Sequence, residues 1–151
     1  MKNTLSAIAL LLLTVVSNNL SAQNAAIFPK GELSTTDNHT GKVWLTELSM
    51  PDSTFTYSIA TATFEAGAKL DWHIHPGGQI LLITEGVGYY QEKGKTKQIV
   101  RKGDIIKCAS GVEHWHGASP DSNFTYIATT PAQKGKTIWL KRVTEEEYKK
   151  N

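Results

Sequence analysis

The sequence holds a single cysteine, Cys108, among 151 residues. No internal disulfide can form, so stability must come from a packed core and from whatever the fold binds. Neither sign of charge is in excess: 16 Lys and Arg against 14 Asp and Glu give a formal net charge of +2. That balance removes the electrostatic case for a nucleic-acid or anionic-membrane partner. No internal repeat recurs at solenoid or propeller spacing. One long apolar run exists, Leu5 to Val16, and it is shorter than the ~20 residues a membrane-spanning helix needs. Helix-like pattern is confined to the last few residues.

The apolar run has a different meaning. Lys2 precedes it, polar Ser17, Asn18 and Asn19 come after it, and a cut follows Ala22 or, since Leu20 is a poor small residue at its site, falls near Ala25 or Ala26. This is the layout of a secretory signal peptide. The expectation is a signal over 1–22, export to a periplasmic or extracellular location, and a mature domain over 23–151 that has no membrane attachment once the signal is cleaved.

The remainder reads as short strands punctuated by turns. Strands are expected over 43–48, 55–64, 70–75, 79–84, 87–91, 96–100, 105–108, 114–118 and 124–129, giving a barrel core of about 42–130. Turn signals separate them at Glu65 to Ala68, Pro76-Gly77-Gly78, Glu85-Gly86, Glu92 to Lys95 and Arg101 to Asp104. Thr137 to Val143 reads as one more strand. Thr144-Glu145-Glu146-Glu147 is a capping-box pattern opening a short C-terminal helix, acid first and lysine last. Many short strands with glycine and aspartate turns imply an all-β sandwich or barrel. Cys108, in the apolar stretch Asp104 to Ala109, reads as core filler.

The histidines carry the chemistry. His73 and His75 lie two apart on an expected strand, so both rings project to one side. The Pro-Gly-Gly turn then reverses the chain, and Gln79 opens the next strand beside them. His114 and His116 repeat the spacing on a distant strand. In a closed sheet both pairs can face the interior, where imidazole with an oxygen donor suits manganese, iron, nickel, cobalt or zinc. Three imidazoles and an amide leave coordination positions open, as a catalytic metal requires. His116 exceeds the usual ligand count; it reads as a fifth ligand, a core histidine or a general base. His39, among Thr, Asp, Asn and Gly, reads as a solvated loop residue. Trp72 and Trp115 alternate to the opposite face and read as packing. Ala60 and Ala62, if inward, leave room for a substrate.

The spacing Gly67-(five)-His73-(one)-His75-(three)-Gln79-(six)-Gly86 resembles the first cupin motif, with glutamine where glutamate is usual. Gly103-(five)-Ala109-(one)-Gly111-(two)-His114 resembles the second, with Ala109 in place of its proline. The resemblance implies a double-stranded β-helix, or jelly-roll, barrel with one divalent metal on His73, His75, Gln79 and His114. A neutral Gln79 leaves the full charge on the ion, favouring Lewis-acid chemistry over oxygen activation.

The segments Trp72 to Tyr90 and Glu113 to Ala118 are similar to small bacterial manganese-dependent cupins of the (R)-mandelonitrile lyase, or hydroxynitrile lyase, type. Val143 to Tyr148 matches their tail. That resemblance implies manganese, a small-molecule substrate, a homo-oligomer and a carbon–carbon lyase that interconverts a cyanohydrin with an aldehyde and cyanide. His116 would serve as base, with Ala60 and Ala62 lining the pocket. The chain departs from that group at two pocket positions, carrying Tyr126 where the lyases have histidine and Thr130 where they have glutamine. Tyr126 is then a candidate catalytic group, and Thr130 a pocket residue. A dioxygenase and a non-catalytic exported binding protein are the competing readings.

Overall fold

The computed structural model describes residues 26–150; the signal peptide expected over 1–22 lies outside them. The described residues are almost entirely β. Strands β1 (Glu32–Leu33), β2 (His39–Thr40), β3 (Val43–Ser49), β4 (Tyr57–Phe64), β5 (Lys69–Leu70) and β6 (His73–Ile74) precede the long β7 (Gln79–Glu92). Then come β8 (Gln98–Arg101), β9 (Ile105–Cys108), β10 (His114–Ala118), β11 (Phe124–Pro131), β12 (Ile138–Trp139) and helix α1 (Glu145–Lys149). Every pairing is antiparallel. The strands run β1-β3-β4-β11-β7-β10-β5-β2, so the sheet curls into the expected barrel. No helix among the described residues is long and apolar enough to cross a membrane.

Strand β7 joins the two walls. Its first half pairs with β11 and β9, and its second half with β10 and β8. Glu85-Gly86 reads in sequence as a turn between two strands; here it is a bend inside one. The register slips at this point, leaving Thr84 without an opposite residue on β11, a bulge that bends the strand and re-aims its second half. Gly86 has φ +76°, and a Cβ there would lie 1.8 Å from the Asn123 carbonyl oxygen. No other residue fits that corner.

The expected strand over 70–75 is likewise broken into β5 and β6. Asp71 and Trp72 leave the ladder, and Trp72 bonds the tail instead, donating to the Lys141 carbonyl and accepting from Leu140 N. The strand expected over 137–143 shortens to β12, which pairs with β6.

Side-chain alternation splits the interior from the outside. Val43, Ala62, Phe64, Leu81, Ile83 and Phe124 pack inside with Cys108, as its apolar setting predicts. Burial pushes the Cys108 thiol up to about 12, so it is no nucleophile. Trp72 and Trp115 point the other way and join Val143 and Tyr148 in a second apolar cluster. Tyr148 belongs to α1, whose capping box on Thr144 and Glu147 is present as the sequence predicts. Its hydroxyl donates to the Ala118 carbonyl at 2.7 Å, and Glu145 reaches buried Lys69 at 2.7 Å. The tail therefore covers the outer face of β10, which is why all five residues of that strand are buried.

Gly86→Ala must strain its backbone and displace Asn123. We expect a loss of about 3 kcal/mol or more, a fall of about 10 °C in melting temperature. A calorimetric scan of the variant checks this.

Candidate metal centre

The barrel interior gathers the imidazoles of β6 and β10. His73 and His114 are register partners across those strands, with ring centroids 4.3 Å apart. His75, one residue past β6, lies 5.1 Å from His73 and 5.6 Å from His114. His116 lies 5.1 Å from His73 and 5.8 Å from His114. His73, His114 and His116 each offer a ring nitrogen within 4.8 Å of the other two. The tightest trio thus includes His116, whereas the family resemblance places His75 in the ligand set and His116 beside it.

Hydrogen bonds fix the ring tautomers. His73 Nδ1–H donates to the Asp71 carbonyl at 2.7 Å, and His114 Nδ1–H to the Val112 carbonyl at 2.9 Å. A carbonyl only accepts, so each Nε2 is the unprotonated nitrogen. Both Nε2 atoms are buried and have no protein partner. Gln79 donates its amide N–H to Thr130 Oγ1 at 3.0 Å, which leaves its Oε1 buried and unpartnered as well. The Gln79 amide lies beside the His75 ring, and His75 Nδ1 meets Thr137 Oγ1 at 3.2 Å. Both nitrogens of His116 are buried without a partner.

Leaving buried acceptors unpaired costs about 1–3 kcal/mol each, so the cluster is built for something that pairs them. A divalent transition ion fits. The donors are neutral imidazole nitrogens and an amide oxygen, borderline donors that such ions accept. Outer hydrogen bonds on the far ring nitrogens are the usual support of metal-binding histidines. Electrostatics agree: burial first, then the proximity of the other imidazoles, pushes His73 and His116 well below the ordinary histidine range. The same causes bring His75 to about 4, and burial lowers His114. All are neutral at pH 7, the state a metal requires.

Beside the imidazoles lies a cavity of about 230 Å³. Ala60, Ala62, His116, Tyr126 and Thr130 line it, together with His73, His75 and Gln79. The small inward alanines leave this space open. Tyr126 stands 5.1 Å from His116, ring to ring. Burial pushes its phenol far above the ordinary tyrosine range, so at neutral pH it holds its proton and can donate but not accept one. A larger groove of about 440 Å³ lies on the outside of the sheet beneath residues 26–30, among Thr61, Thr63, Thr84 and Thr125, and has no imidazole or thiol.

The sequence reading misplaces His39. It stands on β2 against Leu70, half-buried, and lines the same cavity. Its Nδ1–H donates to the Gly41 carbonyl at 3.0 Å. A two-residue strand is too short to show alternation, so composition alone suggested a solvated loop. Thr137 and Trp139 are missed altogether: both line the cavity, and nothing local in their sequence signals it.

Known proteins resemble the chain in sequence and in fold. The cupin domain family model matches residues 60–130. An (R)-mandelonitrile lyase of Granulicella tundricola is 39% identical over 92 residues, 60% of this chain and 70% of that protein. A cupin-like protein from Thermotoga maritima superposes with a TM-score of 0.79 at 42% identity, covering 82% of this chain and 95% of its own. A cupin-2 domain protein from Rhodospirillum rubrum shares the fold at a TM-score of 0.64 and 16% identity, covering 82% of each.

The buried neutral imidazoles also set a pH dependence. Unfolded histidines protonate near ~6.5; His73 and His116 in the fold resist it, and His75 does so down to about 4. Below ~6.5 the unfolded chain binds more protons, so folded stability is complete above that pH and falls as pH drops toward about 4. Metal-free protein should show a melting temperature that declines steadily from pH 7 to pH 4.5. A flat profile contradicts the arrangement.

Proposed function

The chain belongs to the cupin superfamily, and from that membership we propose that it is a metal-dependent lyase of the hydroxynitrile lyase type. The observation that carries the reading is the set of buried, unpartnered donor atoms on His73, His114 and Gln79 beside an open cavity. The 39% identity to a mandelonitrile lyase supports the reaction class. His73, His75, Gln79 and His114 would hold the ion. A bound divalent ion supplies Lewis-acid polarisation of a substrate oxygen, and manganese is the expected metal.

The protein's own groups supply the rest. The cavity, walled in part by Ala60 and Ala62, has room for a small molecule beside the imidazoles. His116, neutral and without a hydrogen-bond partner, can take the hydroxyl proton of a cyanohydrin on a free ring nitrogen. As the carbonyl forms, the bond to the nitrile carbon breaks and its electron pair leaves with cyanide. The proton on His116 then passes to cyanide, giving aldehyde and hydrogen cyanide and restoring the neutral ring. Burial lowers the basicity of His116, which weakens the first transfer and assists the second. Tyr126 keeps its proton and is a donor to a bound oxygen or nitrile. Thr130 orients Gln79, so the position where the related lyases carry glutamine here supports the ligand set as well as the pocket.

Manganese-loaded protein should release benzaldehyde from racemic mandelonitrile faster than the metal-free protein; equal rates overturn the reading. His116→Ala should lower turnover by about 10²- to 10⁴-fold with manganese content unchanged by elemental analysis. Loss of the metal together with the activity would instead assign His116 to the ligand set.

A further inference from the structure

The groups around the imidazoles divide by what holds them. His73 and His114 are oriented by backbone carbonyls two residues upstream in their own segments. His75 has no such carbonyl; its Nδ1 meets the hydroxyl of Thr137 at 3.2 Å. Thr137 lies sixty-two residues away in sequence, at the start of the C-terminal tail. Two residues on, Trp139 packs over the His73 ring, centroids 4.9 Å apart.

Backbone bonds lock this segment to the strand that carries the histidines. Ile138 pairs with Ile74 and Trp139 with His73. Leu140 N donates to the Trp72 carbonyl at 2.8 Å, and Trp72 N to the Lys141 carbonyl at 3.0 Å. Arg142 donates to the Asp37 and His39 carbonyls at 3.0 and 3.2 Å, pinning the wall that bears His39. Val143 and Tyr148 then anchor the tail in the tryptophan cluster on the outer face.

We propose that the C-terminal tail is the retaining element of the metal centre, with Thr137 the positioning residue for His75 and Trp139 the cover over His73. This rests on the metal reading above. With Nε2 of His75 turned to the ion, Nδ1 carries the proton and Thr137 Oγ1 accepts it, fixing ring and tautomer. Docking of the tail and binding of the metal are then linked, and the linkage acts in both directions.

The test uses the full mature chain and manganese. Affinity is measured by competition with a chelator for the wild type, Thr137→Val and Thr137→Ser. Valine keeps the shape and removes the acceptor, so binding should weaken by about 10- to 100-fold. Serine restores the hydroxyl and should return affinity to near the wild-type value. Independently of any variant, manganese should slow amide hydrogen exchange in residues 137–141 of the wild type. Unchanged affinity in Thr137→Val, or exchange there indifferent to manganese, overturns the proposal and leaves the metal centre standing. A wild type that binds no divalent ion overturns the metal reading itself.

Discussion

The structure depends on one constraint: neutral imidazoles and an amide oxygen are buried together with their acceptor atoms unpaired. Those atoms are buried, and no protein donor serves them. Such an arrangement is unfavourable unless a ligand completes it. Much of the surrounding architecture keeps it in place. The break at Asp71 and Trp72 supplies the carbonyl that orients His73 and turns Trp72 outward. The bend at Gly86 carries β7 from the wall that holds Gln79 to the wall that pairs with His114. The tail seals the outer face of β10 so that its inward histidines rest on a fixed strand.

Much of this was legible because its signals are local. Alternation of apolar and small polar residues marks β4 and β11, and the His-x-His spacing places ring pairs on one face of a strand. The capping box at Thr144 is a four-residue pattern with its own physics, and the helix begins where it says. The rest was hidden for equally physical reasons. Glu85-Gly86 has turn composition, but a bulge within a continuous strand uses the same glycine. Strand β2 is two residues long, below the length at which period-two alternation can be seen, so His39 read as solvated. Thr130 is placed in the pocket by resemblance, but its hold on Gln79, fifty-one residues distant, is not legible, nor is that of Thr137 on His75, sixty-two residues distant. Nothing in their neighbours distinguishes them from ordinary strand threonines.

The functional reading inherits this division. The ligand-type side chains stand out in sequence because metal chemistry demands particular residue types at particular spacings. Pocket chemistry is less constrained, and no spacing in the sequence marks Tyr126 and Thr130 as lining the cavity. The deeply buried phenol of Tyr126 keeps its proton, so it can donate a hydrogen bond into the cavity but cannot take up a proton there. Thr130 Oγ1 accepts the Gln79 amide N–H at 3.0 Å and so holds that side chain in place.

The central claim is that these side chains converge on a single ion. Crystals of the manganese-loaded protein, with anomalous diffraction collected on both sides of the manganese edge, address it directly. The account predicts one strong anomalous peak inside the barrel, within bonding distance of Nε2 of His73 and His114 and Oε1 of Gln79. An empty barrel, or a peak held elsewhere by surface carboxylates, would contradict it.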